Sequence, residues 1–151
     1  MTREEMTSVL LAEFPDLVEE AGGEWLNLFS TPESWKKTAY FLRNHPTLLF
    51  DYLFCLTCVD WKTHLTMVYH FTSTTFRHTL VIKVKLDRNA PVIETVCDIW
   101  KTAEFHEREV FELFGVQFAN HPDLRKLILP DDWVGFPLRK DYEDPVNMIR
   151  L

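Results

Sequence analysis

Glycine is scarce in this 151-residue chain: four residues, Gly22, Gly23, Gly115 and Gly135, none in a phosphate-cradling pattern. With no G-x-G-x-x-G, no Walker loop and no G-x-S-x-G, the chain has no recognisable seat for a nucleotide and no nucleophile elbow. Cysteine is nearly as rare. Cys55, Cys58 and Cys97 are an odd number, too few for a four-cysteine iron–sulfur site and better matched to a reducing compartment than to a disulfide framework. Positive charge is in deficit, with 16 Lys and Arg against 23 Asp and Glu and a net charge of −7, which disfavours nucleic acid and anionic membrane surfaces as partners. No block of five like charges, internal repeat or low-complexity stretch occurs. The longest apolar run, residues 48–59, is cut by Asp51 and falls short of the ~18–20 residues of a membrane span. The N-terminus has no basic-then-apolar leader pattern, so a soluble, cytoplasmic protein is expected.

What the chain does have is large apolar surface: 46% hydrophobic and 14% aromatic residues, in a length suited to one core. Thr2 with Glu5 three residues on forms a capping box, predicting a first helix that ends near Pro15. A strand is expected over residues 25–29. Thr31-Pro32 then opens a second helix running to about Asn44. Residues 48–61 read as a helical turn around Asp51 followed by a strand. Leu65, Met67, Tyr69 and Phe71 alternate with polar neighbours, as do Leu80, Ile82, Val84 and Leu86, which predicts a hairpin with its basic residues toward solvent. A helix over residues 100–114 closes at Gly115. The order α-β-α-β-β-β-α, with strands grouped together, predicts an α+β two-layer sandwich over residues 1–120.

Residues 121–151 are different. Pro122, Pro130, Pro137 and Pro145 recur every seven or eight residues and exclude a long helix or a central strand. Yet Leu124, Leu127, Ile128, Leu129, Trp133, Phe136, Leu138 and Tyr142 make the segment too apolar for a disordered tail. Such a ribbon needs a surface to lie on, and is expected to be an extended docking arm for a partner protein.

Within the last predicted helix, Trp100, Ala103, Val110, Phe111 and Phe114 share one face with Glu107 in its middle. A carboxylate there needs a partner, a proton or a polar neighbouring protein, because desolvating a lone charge costs several kcal/mol. Arg125 or Arg139 is the expected partner, since bidentate guanidinium pairing suits a buried carboxylate. Glu104, Arg108 and Glu112, spaced i, i+4, i+8, are expected to pair along the flank. His106-Glu107 fails as a zinc-hydrolase motif because position 110 is Val. His106, Glu109, His121 and Asp123 have no spacing that demands a metal. Cys55 and Cys58 have C-x-x-C spacing, but inside an apolar segment where inert buried thiols are expected.

Glu107-Arg108-Glu109, two residues, Glu112-Leu113-Phe114, six residues, His121, three residues, Arg125, one residue and Leu127 form a pattern that resembles the signature of the C subunit of respiratory complex I, the NADH:quinone oxidoreductase. The likeness continues through His121-Pro-Asp-Leu-Arg and residues 132–142, and covers about residues 48–144. It implies a non-catalytic structural and assembly subunit in the peripheral arm, without a cofactor, metal or catalytic residue of its own. Iron–sulfur clusters, FMN and quinone would belong to partner subunits, and the chief partner would be the D subunit, which lines the quinone pocket. By the same resemblance Glu107, Arg108, Glu109, His121, Arg125, Trp133, Arg139, Lys140, Asp141 and Tyr142 become fold or interface residues. The location implied is the cytoplasmic side of the cell membrane, reached only through the complex. Equivalent subunits of membrane-bound hydrogenases and other complex I-like enzymes share the pattern. An unrelated adaptor, or a small thiol or metal enzyme using Cys55, Cys58 or His106, is the alternative from another class.

Overall fold

The computed structural model describes residues 1–148; the last three residues of the arm lie outside it. Ten elements follow in the order α1 (Arg3–Glu13), β1 (Val18–Glu20), β2 (Leu26–Ser30), α2 (Pro32–Asn44), β3 (Tyr52–Asp60), β4 (His64–Thr72), β5 (Thr79–Asp87), β6 (Val92–Glu94), α3 (Ala103–Phe114) and β7 (Gln117–Ala119). This is the α+β sandwich that the grouping of strands predicts. Both capped helices form as the sequence indicates: Thr2 and Glu5 exchange bonds at the start of α1, and Thr31 accepts from Ser34 N at the start of α2.

Three short strands escape the hydrophobic pattern. β1, β6 and β7 have three residues each, too few to display a period of two. Two boundaries also move. The last helix begins at Ala103, because Trp100 is held in the preceding turn by its Nε1–H, which donates to Phe50 O at 2.8 Å. Asp51 sits in no helical turn; its carboxylate instead accepts from Thr74 N and the Thr74 hydroxyl across the β4–β5 connection.

The main sheet has the order β1-β2-β5-β4-β3. The hairpin β4–β5 and its partner β3 are antiparallel, and β2 lies parallel to β5. The α2 crossover therefore carries the chain from β2 to β3, past the places that β4 and β5 later fill. One sheet face takes the helices. Trp35 of α2 packs against Tyr69 at 4.3 Å between ring centroids, and Phe71 meets Trp100 at 4.7 Å. Leu26, Leu28, Leu53, Leu65, Met67, Leu80 and Ile82 complete this core, all buried. β6 and β7 pair in parallel as a second, two-stranded sheet beside α3.

Candidate protein interface

α3 presents buried charge on two sides. On the core side Glu107 is fully buried, as its place in the apolar stripe requires. Its carboxylate accepts from the Thr95 hydroxyl and from Val96 N at 2.8 Å, both in the loop after β6. Burial raises its pKa from 4.5 to about 7, against the pull of those two bonds. Neither expected arginine reaches it. Arg125 pairs with Asp123 at 3.0 Å, and Arg139 Nε donates to Phe114 O at 2.6 Å. The loop that follows the three-residue β6 supplies the donors instead, and nothing in α3 itself points to that loop.

His121 lies beside this carboxylate, with Nε2 3.7 Å from Glu107 Oε2. Ligand atoms of Cys97, Glu107 and His121 fall within 4.8 Å of one another. His106, Glu109 and Asp123, considered with His121 from the sequence, do not join that group. The imidazole bonds decide what the trio can hold. Asp123 N donates to Nδ1 at 3.0 Å, which puts the ring proton on Nε2, facing Glu104 O at 3.1 Å. A cation on Nε2 would require the proton to move to Nδ1, where the Asp123 N–H already points.

The outer side of α3 seats the ribbon. Arg108, expected to pair with Glu104 and Glu112 along the helix flank, is buried and turns to main-chain oxygens. Its Nε and Nη2 donate to Arg125 O and Lys126 O at 3.0 and 3.1 Å. Glu112, one helical turn on and also buried, accepts from Leu127 N, Ile128 N and Leu129 N at 2.9 to 3.0 Å. The two side chains thus satisfy five polar groups of a segment with no ladder of its own. Their i, i+4 spacing is legible in the sequence; that both turn to the ribbon is not. Lys126 extends the seat, its Nζ donating to Asp131 O and Trp133 O at 3.0 and 2.8 Å.

A second seat lies at the end of α3. Gly115 has φ +79°, and a Cβ there would meet the Phe136 ring at 2.6 Å. Leu138 N and Arg139 Nε donate to the terminal carbonyls of Leu113 and Phe114, while Arg139 stacks on Phe136. Tyr142 folds against Gly135, and its N–H donates to Arg139 O. At the third seat Asp60, almost fully buried, accepts from Arg88 at 2.8 and 3.1 Å, from Lys140 N at 2.9 Å and from Lys62 N at 2.7 Å. Hydrogen bonds from Arg88 hold its carboxyl far below the usual range. Arg88 also bonds Asp141 at 2.8 Å. Asp60 and Arg88 are 28 residues apart, and nothing local in the sequence marks them as partners of the ribbon.

The expected interface residues therefore divide. Arg108, Arg139, Lys140 and Asp141 hold the ribbon. Glu107 lies on the core side of α3 with His121, the ribbon's first residue, beside it; Tyr142 and Trp133 are half-buried within the ribbon, and Glu109 and Arg125 are exposed. Along residues 121–148 Leu124 packs against the core, while the segment's main-chain groups are held from the α3 side and several apolar side chains stand outward: Ile128 is 67% exposed, Val134 86% and Leu138 53%. Cys55 and Cys58 lie on opposite faces of β3, and burial raises both thiols, Cys58 to about 12, which leaves neither an acidic nucleophile.

The model of the respiratory-chain NADH dehydrogenase 30 kDa subunit family matches residues 28–146. The chain belongs to this family. The C subunit of the NADH-quinone oxidoreductase of Chloroherpeton thalassium is 41% identical over 140 residues, covering 89% of this chain and 58% of that protein. The fused C/D subunit of the Phocaeicola vulgatus NADH-quinone oxidoreductase is 47% identical over 103 residues, 67% of this chain and 20% of the fusion. The C subunit of the F420H2 dehydrogenase of Methanosarcina mazei is 38% identical, with 89% of this chain and 87% of that protein covered. Among solved structures, the trypsin-resistant fragment (1–134) of Nqo5 superposes with a TM-score of 0.70 at 26% identity, over 82% of this chain and all of the fragment. Family members thus include subunits of NADH-quinone oxidoreductase. Among the described residues no helix is long and apolar enough to cross a membrane.

Proposed function

We propose that this 30 kDa-family chain is a non-catalytic structural subunit of the hydrophilic arm of a proton-translocating NADH:quinone oxidoreductase. Its ribbon, residues 121–151, docks onto the D-type subunit, and the chain reaches the cytoplasmic face of the membrane only through that assembly. Clusters, FMN and quinone belong to its partners. The observation that carries this reading is the ribbon's polarity, anchored inward through charged groups while Ile128, Val134 and Leu138 stand in solvent. A monomer gains nothing from that arrangement, whereas a neighbour's apolar surface would. The Phocaeicola vulgatus relative, in which the C and D portions form one polypeptide, supports the D-type subunit as that neighbour.

Removing residues 121–151 is expected to release the chain from the complex on co-purification. Because the ribbon also caps α3, a milder variant with Ile128→Asp, Val134→Asp and Leu138→Asp isolates docking from folding. Retention of that folded variant at full stoichiometry overturns the reading. A second reading, the equivalent subunit of a complex I-like enzyme with another electron donor, is favoured by the Methanosarcina mazei relative. Assay of the purified assembly with NADH against other donors separates the two.

A further inference from the structure

The five-stranded sheet has helices on one face only, and the other face is not flat. Across three strands Val59, Thr66 and Lys85 stand in one row, and Val68 pairs with Lys83 in the next. They form a recess of about 240 Å³, walled by Phe29 and by Trp61, which is 56% exposed. Two of its groups, a buried hydroxyl and an exposed ammonium, have no hydrogen-bond or ion-pair partner among the described residues. Thr66 is only 3% exposed although no helix covers it, and its hydroxyl has no partner among the described residues. A buried hydroxyl without a bond is costly, and one that lines a recess is satisfied when a polar group enters there. Lys83 is neutralised by Glu20, but Lys85 has no carboxylate within reach among the described residues and rests over the Phe29 ring at 4.9 Å.

A chain of net charge −7 thus offers here a hydroxyl and an uncompensated ammonium, side by side between aromatic walls. We propose that this recess receives an Asp or Glu side chain from a neighbouring protein, whose carboxylate accepts from Thr66 Oγ1 and Lys85 Nζ while its apolar flank covers Phe29 and Trp61. The volume admits one such side chain with part of its neighbour. A small anion would meet Lys85 but leave Trp61, a favoured type of interface anchor, in water. The recess also adjoins the ribbon, since Lys140 Nζ lies 6.0 Å over the Trp61 ring. The inference rests on the chain being part of an assembly, and assigns it a second contact besides the ribbon.

Acylation of lysines by a water-soluble reagent, read by mass spectrometry, tests this on the intact assembly and on the isolated chain. Lys85 is expected to react in the isolated chain and to lose an order of magnitude or more of its labelling in the assembly. Carbodiimide, which joins an amine directly to a carboxylate, is expected to couple Lys85 to an Asp or Glu of another chain, with a lower yield in Thr66→Val. Equal labelling of Lys85 in both states overturns the contact. Shielding without any carbodiimide product overturns the carboxylate. A chain that enters no assembly defeats the proposed function itself, whereas one that enters with Lys85 open defeats only this inference.

Discussion

Glu107 shows how a single buried acid ties stability to pH. An acid whose pKa is higher in the folded state binds its proton more tightly there, so folding is favoured while it is protonated. For Glu107 that contribution is complete below about 4.5 and is lost as pH rises to about 7. The shift corresponds to roughly 3 kcal/mol. Asp60 acts in the opposite sense: its lowered pKa contributes stability above the ordinary value of 3.8, lost as pH falls below it. Glu107→Gln, which cannot ionise, is therefore expected to abolish the decline between pH 4.5 and 7 in thermal unfolding while leaving the acid limb unchanged. A decline of wild-type size in that variant would show that another group titrates. Gly115→Ala combines a left-handed backbone with a Cβ 2.6 Å from the edge of the Phe136 ring, and is expected to cost about 1–2 kcal/mol. Adding Phe136→Ala should relieve only the steric part, so a double-mutant cycle separates backbone strain from the clash.

At the scale of elements, α3 is a helix read on both sides. Glu112→Gln leaves three consecutive amides with one neutral acceptor, at an expected cost of about 1–3 kcal/mol. Hydrogen exchange at residues 127–129 is expected to quicken well before that of the sheet; unchanged protection there would assign the seat to other contacts. Removing Arg88 as Arg88→Met should destabilise the chain more than the double variant Asp60→Asn with Arg88→Met, because only the single variant strands a buried carboxylate. How much of this was readable follows from where each signal sits. Caps and alternation are local, so α1, α2 and the β4–β5 hairpin are legible at Thr2, Thr31 and Leu65–Leu86. Glu107 announces itself because a carboxylate interrupts an apolar stripe. Its partners Thr95 and Val96 do not, since ordinary residues become donors only once β6 and β7 pair. Arg108 and Glu112 look like a solvated helix pair until an irregular segment brings its unsatisfied main chain to them.

For the whole molecule, the three seats divide labour between backbone and side chains. The clamps on residues 125–129 grip peptide oxygens and amides, and those on residues 138–140 grip mostly main-chain atoms. Outward side chains such as Val134 take no part in holding the segment. Attachment and recognition are therefore separately mutable: a lineage can exchange the exterior lettering of this strip for another mating surface while the hooks beneath stay as they are.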